Sequence, residues 1–456
     1  MGCAVILSGG VLLPTDDPRT RELRELASMA NPAAAKHSQL VAKGRIHPYA
    51  PRPPARVSAW VAIPGAGDGR WARGATVYPR ALPGVEVEQD IRTAGPTIEP
   101  IRLGPSLRPY QHEAIEAALK APGEHGVIVA PCGAGKTQIG IAIAARLGLR
   151  TLVLVHTLDL AEQWRTRVSD VCGVRAGLVG DGVVDDAPEI PVVVATMQTL
   201  ATWEWARRQA WGRGFGLVLV DEAHHSPCAT LIEVLSSMPA RWRFGLTATP
   251  DREDGLTPIL HWLCGPVAHR ITHAELDRAG AILIPELRRV QTGWEPDDVD
   301  APWATTISDL TMEPDREALL DREIQSLLAD GRRVLVLSDR VEHCRSIASR
   351  HGGEALVGAV SAKRRLAILA AAREGTLRLV TGTAVADEGL DVPGLDAVVL
   401  STPSRALGRV EQRIGRVMRP EPDKRRPVVV DLVDAWGPLR HQARLRMDAY
   451  RRLGIT

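Results

Sequence analysis

The sequence predicts an α/β protein of two tandem lobes, each a parallel sheet covered by helices, behind a small N-terminal accessory domain. Three observations carry this. From Leu107 onward, short β-branched apolar runs alternate with amphipathic helical stretches, the pattern of strands buried on both faces. The runs fall into two sets, divided by an acidic, proline-containing stretch at 294–315. The length, 456 residues, exceeds what one core organises.

The first set is 127–130, 152–155, 192–195, 217–220 and 244–246, with helical patterns between, such as 138–147 and 158–171. The second is 334–337, 356–357, 379–381, 398–400 and 428–430. The expected division is therefore an accessory domain at 1–100, a first lobe at 101–293, a linker at 294–315 and a second lobe at 316–456. Residues 1–100 are irregular, with proline and glycine clustered at 47–54 and 64–74 and one short helical pattern at 21–30.

Composition narrows the class. Net charge is only +2, so any basic track is a local patch. Six cysteines (Cys3, Cys132, Cys172, Cys228, Cys264 and Cys344) form no CxxC pair. Neither a zinc knuckle nor a disulfide framework is therefore expected, and a reducing cytoplasm fits. The opening MGCAVILSGG lacks a basic segment, so a secretory signal is not expected. Ile6 stands where acylation needs Ser or Thr. No apolar run is long enough to span a bilayer. A cytoplasmic protein is expected.

The first chemical motif is Ala130-Pro131-Cys132-Gly133-Ala134-Gly135-Lys136-Thr137, between a strand and a helix. A phosphate cradle needs small residues, so that backbone N–H groups approach the oxygens. It also needs a helix N-terminus, which favours anions. Lys136 would neutralise the β- and γ-phosphates and Thr137 would hold Mg²⁺. The second motif is the strand end Asp221-Glu222-Ala223-His224. Asp221 would hold Mg²⁺, Glu222 would polarise the attacking water, and His224 would link the nucleotide site to its surroundings. A glycine-rich turn and an acidic strand end are each common as mere structure; together, in this order, they point to ATP and Mg²⁺.

These motifs, with others in order, resemble superfamily 2 helicases of the DEAH type over about residue 105 to the C-terminus. The resemblance implies two RecA-like lobes. Leu107-Arg108-Pro109-Tyr110-Gln111 is similar to the adenine-recognising motif, with Arg108 and Gln111 as base contacts. Leu246-Thr247-Ala248-Thr249-Pro250 resembles the motif coupling hydrolysis to movement. The segment 381–391, with Gly389 and Asp391, resembles the fifth motif. The segment 412–419 resembles the sixth, with Gln412 in coupling and with Arg416 and Arg419 three apart on a helix face, reaching the transferred phosphoryl group. Glu162-Gln163-Trp164, Val179-Gly180-Asp181-Gly182, Arg252-Glu253-Asp254 and Asp431-Leu432-Val433-Asp434 are similar to the branch of XPB-like helicases, phage helicases and restriction motor subunits. Residues 20–31 and 78–82 resemble the front module of the phage members.

The resemblance also implies a phosphate-gripping track: His156, Thr157, Gly180, Thr196 and Gln198 in the first lobe, and Thr383 with the region of Arg340 in the second. Such contacts are sequence-tolerant and salt-sensitive. The runs Lys363-Arg364-Arg365 and Lys424-Arg425-Arg426 read as solvated faces sooner than contacts. The stretch 203–211, with Trp203, Trp205 and Trp211, reads as packing sooner than base stacking. No nuclease constellation is seen. The expected function is an ATP-dependent DNA helicase or translocase travelling 3′ to 5′. The alternatives are an RNA-directed ATPase, or a low-turnover ATP-gated clamp.

Overall fold

The computed structural model describes the chain apart from residues 1–5, 8–9, 15–16, 43–54, 60, 64–74, 79–88, 105, 132, 223–227, 249–254, 359, 384–391, 393, 404–413, 416 and 456. It divides into two compact units, 1–130 with 135–271, and 131–134 with 272–456. Among the described residues no helix is long and apolar enough to cross a membrane.

The N-terminal segment forms β1 (Ile6–Leu7), β2 (Val11–Pro14), β3 (Ser28–Ala30), β4 (Arg56–Ser58), β5 (Val61–Ile63), β6 (Ala75–Tyr78) and β7 (Gln89–Asp90). One sheet runs β5-β6-β2-β1-β7, and β3 pairs with β4. The helix expected at 21–30 covers Thr20–Leu26 and then gives way to β3. This segment falls in the same compact unit as the first lobe. Close backbone approach helps tie it there: a Cβ on Gly95 would stand 2.1 Å from the Gly216 nitrogen.

The first lobe holds β8 (His125–Val129), β9 (Thr151–Val155), β10 (Ala176–Gly180), β11 (Val183–Asp185), β12 (Val192–Thr196), β13 (Leu217–Asp221), β14 (Trp242–Thr247) and β15 (Val267–Arg270). Their order is β11-β10-β12-β9-β13-β14-β8-β15, parallel throughout except for the β10–β11 hairpin. The hairpin turns at Asp181 and Gly182, both at positive φ (50° and 76°), the geometry a tight two-residue turn needs. The five expected strands all form, because their apolar side chains are buried on both sheet faces.

The second unit carries β16 (Glu286–Gln291), β17 (Val334–Leu337), β18 (Glu354–Leu356), β19 (Leu379–Gly382), β20 (Ala397–Leu400) and β21 (Val428–Val433) in the parallel order β16-β21-β20-β17-β19-β18. Two expected boundaries shift. β16 joins the second sheet although it lies inside the stretch assigned to the first lobe. The stretch expected as linker is partly a helix, Trp303–Leu310, whose Ile307 and Leu310 pack with Trp294 and Leu439 in a small core. The tryptophans and spaced apolar residues there outweigh its acidic composition.

Asp431 and Asp434 have a structural task. Arg446, on the C-terminal helix Gly437–Arg452, donates to Asp431 Oδ1 at 2.9 Å. Arg316, on the helix Pro314–Ala329, donates to Asp434 Oδ1 at 2.7 Å, and Thr292 donates to the same oxygen at 2.6 Å. All four charged side chains are at most 2% exposed. Breaking such a pair leaves an uncompensated buried charge. Asp434→Ala should therefore destabilise the second unit by about 3–5 kcal/mol, read as a lower urea midpoint. The double replacement Arg316→Met with Asp434→Leu should cost much less; equal loss would show the ion pair is not the cause.

Candidate functional site

The loop from β8 enters the helix Lys136–Leu147 through Gly133 and Gly135, both at positive φ (88° and 77°). Gly135 is the N-cap residue, and a Cβ there would lie 2.6 Å from Gln111 Nε2. Glycine is thus demanded by both conformation and space. Ala130 donates its N–H to the Thr247 carbonyl at 2.8 Å, and β14 pairs with both β8 and β13. Ala130, Thr247 and Asp221 consequently share the carboxyl edge of the first sheet, where open α/β sheets bind ligands.

At that edge Lys136 Nζ lies 2.9 Å from Glu222 Oε1, with both side chains under 20% exposed. Glu222 holds φ 45°, a left-handed conformation that a non-glycine residue keeps only under constraint. Its N–H donates to Asp221 Oδ1 at 3.0 Å. Asp221 Oδ2 accepts from the indole of Trp164 at 2.7 Å, fully out of water. Burial first, and then the Glu222 carboxylate, push the Asp221 carboxyl up to about 6, against the opposing pull of Lys136 and the Trp164 hydrogen bond. Trp164 as donor to Asp221 was not legible in the sequence. The two lie 57 residues apart, and only the inward position of Trp164 on its helix hinted at a partner.

These residues suit a magnesium nucleotide. The two adjoining carboxylates and the Thr137 hydroxyl are hard oxygen donors, the set Mg²⁺ prefers. Burial first and the Glu222 carboxylate second disfavour the charged Asp221 carboxyl, and a divalent cation beside it would offset both. Gln111 borders the loop: its Oε1 accepts from the Arg108 N–H at 2.9 Å, and its Nε2 donates to Gln138 Oε1 at 3.3 Å. Arg108 itself is the N-cap residue of the helix Pro109–Leu119.

The residues expected to grip nucleic acid in the first lobe also come together. His156 and Thr157 follow β9, Gly180 ends β10, and Thr196 ends β12. Thr157 caps the helix Leu158–Cys172. Gln198 donates to the His156 carbonyl at 2.7 Å, and Thr196 donates to Thr199 at 2.8 Å. A Cβ on Gly180 would lie 3.2 Å from Thr196.

In the second unit Thr383 follows β19 and is half-buried. Arg340 turns its guanidinium to the Ala304 carbonyl (2.7 Å) and the Ser308 hydroxyl (3.1 Å). Arg419 was expected on a helix face; it stands instead in the bend after the helical residues Ile414, Gly415 and Val417. Pro420 is the reason, because a residue before proline is driven out of the helical region. Cys132, His224, Thr249, Gly389, Asp391, Gln412, Arg416 and the triplet 252–254 lie outside the described residues.

The run at 424–426 is a solvated face only in part: Arg425 and Arg426 are exposed, whereas Lys424 is half-buried. Lys424 donates to the Arg419 carbonyl at 2.8 Å, and its burial drives the amine down to about 8. Arg426 donates to the Ile284 carbonyl. Arg364 of the other run pairs with Glu354 at the surface. The tryptophan stretch packs as expected: Trp203 and Trp211 meet edge to face at 5.3 Å against the first-lobe core.

Comparisons with known proteins agree with this architecture. The family "Type III restriction enzyme, res subunit" matches residues 104–252, and "Helicase conserved C-terminal domain" matches 316–421. A DNA 3′-5′ helicase XPB of Kineococcus radiotolerans is 30% identical over 337 residues, 70% of this chain and 58% of that protein. A protein of Acanthamoeba polyphaga mimivirus, described as a candidate ATP-dependent RNA helicase, is 27% identical over 72% of this chain and 64% of its own length. The chain thus spans roughly three-fifths of these relatives. The helicase domain of Pyrococcus furiosus Hef superposes with a TM-score of 0.52 at 17% identity, over 75% of this chain and 98% of that one; this shows two RecA-like lobes. With both lobes matched in order, the chain belongs to superfamily 2 of the helicases, in the branch of the XPB-like proteins and the type III restriction motor subunits.

Proposed function

We propose that the chain is an ATP-driven motor on DNA, hydrolysing ATP as it travels 3′ to 5′ along the strand or unwinds it. One observation carries the reading: Lys136, Glu222 and Asp221 stand at the same sheet edge as the cluster of His156, Gly180, Thr196 and Gln198. In this reading the triphosphate lies against the loop 130–137, and Arg108 and Gln111 face the adenine. Thr137 and Asp221 hold Mg²⁺, which when bound neutralises charge on the phosphates. Glu222 orients and deprotonates the attacking water, and Arg416 and Arg419 steady the transferred phosphoryl group. Thr247, Thr249, His224 and Gln412 couple hydrolysis to movement. Hydroxyls and amides at the strand ends hold phosphates without reading bases.

The test is ATP turnover with duplex DNA, single-stranded DNA and RNA. Stimulation by DNA is expected. Stimulation by RNA alone would support a second reading, favoured by the description of the mimivirus relative. No turnover with any of them would support an ATP-gated clamp.

Trp164→Phe gives a finer check. The indole N–H stabilises the Asp221 carboxylate, so losing it raises that carboxyl further above 6. Turnover that needs ionised Asp221 falls as pH drops through its pKa. The acid limb of kcat/KM should therefore move to higher pH, with an unchanged alkaline limb. An unmoved acid limb would remove Asp221 from the reaction.

A further inference from the structure

Beside the first-lobe track lies an open groove of about 490 Å³, between the β10–β11 hairpin and the segment after β12. That is within the ~300–1,000 Å³ of small-ligand sites. Val183, Val184 and Trp203 supply its apolar surface; Gln198, Thr199 and Thr202 supply amide and hydroxyl groups. The two valines are 45% and 53% exposed. That is unusual on a short edge strand, where charge normally blunts the edge.

The groove is continuous with the track. Gln198 lines it and also donates to the His156 carbonyl, while Thr199 accepts from Thr196. Its chemistry differs from the track's. Asp181 is its one ionisable lining residue, so a phosphate would meet a like charge. A nucleobase presents what the groove matches: two apolar faces and an edge of donors and acceptors. Trp203 is fixed in place by two neighbours. Trp211 meets its ring edge to face at 5.3 Å, and the Arg207 guanidinium lies 4.0 Å from its centroid.

We propose that this groove receives one unstacked base of the strand gripped by the first lobe. The track then holds phosphates while the groove holds a base, giving each step along the strand a point of registration. This rests on the motor reading above.

The test compares binding of the full chain to an oligothymidine strand and to an abasic strand of equal length and charge, by fluorescence anisotropy at fixed low salt. A single base–aromatic contact predicts about tenfold tighter binding of the ordinary strand. Trp203→Leu and, on the exposed strand where folding is not at risk, Val184→Thr should each shrink that ratio toward one. The salt dependence, which counts phosphate contacts, should stay unchanged. Equal binding of the two strands by the unaltered chain overturns the base site but leaves the motor reading intact. A ratio that persists in both variants places the base contact elsewhere and overturns it too. Binding of neither strand overturns both readings. Capture of a protein strand by β11, blocked by Val184→Thr while the two nucleic-acid strands bind equally, would assign the groove to a protein partner and overturn the proposal.

Discussion

Replacing Arg419 by alanine should lower nucleic-acid-stimulated ATP turnover by about 10³-fold or more, with ATP affinity changed only a few-fold. The asymmetry is physical. An arginine aimed at the γ-phosphoryl group acts on charge that spreads in the transition state, so its loss appears in kcat and spares ground-state binding. Arg419 sits in the bend before Pro420, with its own carbonyl held by Lys424. A bend residue is aimed by such backbone contacts, where a helix residue is aimed by its turn. Steady-state turnover and equilibrium binding of a fluorescent ATP analogue separate the two effects. An equal fall in both would make Arg419 a plain binding residue.

Lys136→Ala should remove measurable hydrolysis, a loss of at least about 10²–10³-fold, yet leave most nucleic-acid binding at low salt. Lys136 is the cation beside Glu222 and the buried Asp221. Without it the carboxylate pair repels a triphosphate instead of receiving it, and Asp221 is driven still further toward its neutral form. In the track Gln198 holds the His156 carbonyl and Thr196 holds Thr199, and neither bond involves Lys136. Turnover close to that of the unaltered chain would show that the loop at 130–137 is not the phosphate cradle.

What the sequence revealed, and what it hid, follows from how each element is buried. Strands such as 217–221 and 334–337 are covered on both faces, so their apolar runs are unmistakable. The strands that escaped notice lie mostly at sheet edges. β16 reads ELRRVQ because only β21 borders it, and β15 reads VAHR beside β8 alone. β10, AGLVG, was masked by its glycines, yet Gly177 is required there: a Cβ would stand 2.1 Å from the Asp185 carbonyl. The phosphate loop and the carboxylates were legible because their chemistry is local in sequence. The Trp164–Asp221 bond and the buried pairs of Asp431 and Asp434 were not, since each joins residues brought together only by the fold. Within the basic runs one residue was hidden for the same reason: Lys424 looks like a surface charge until its partial burial against the Arg419 carbonyl is seen, while Arg364, Arg425 and Arg426 are exposed as their composition suggests.

In the proposed motor, residues of both lobes would act on one ATP molecule. The direct measurement is the distance between fluorophores placed, through non-natural amino acids, at the exposed positions Glu162 in the first lobe and Glu342 in the second. Adding DNA together with a non-hydrolysable ATP analogue should shorten it, neither alone should do so fully, and Arg419→Ala should weaken the response. An unchanged distance under every condition, while the same labelled chain hydrolyses ATP, would contradict a shared site.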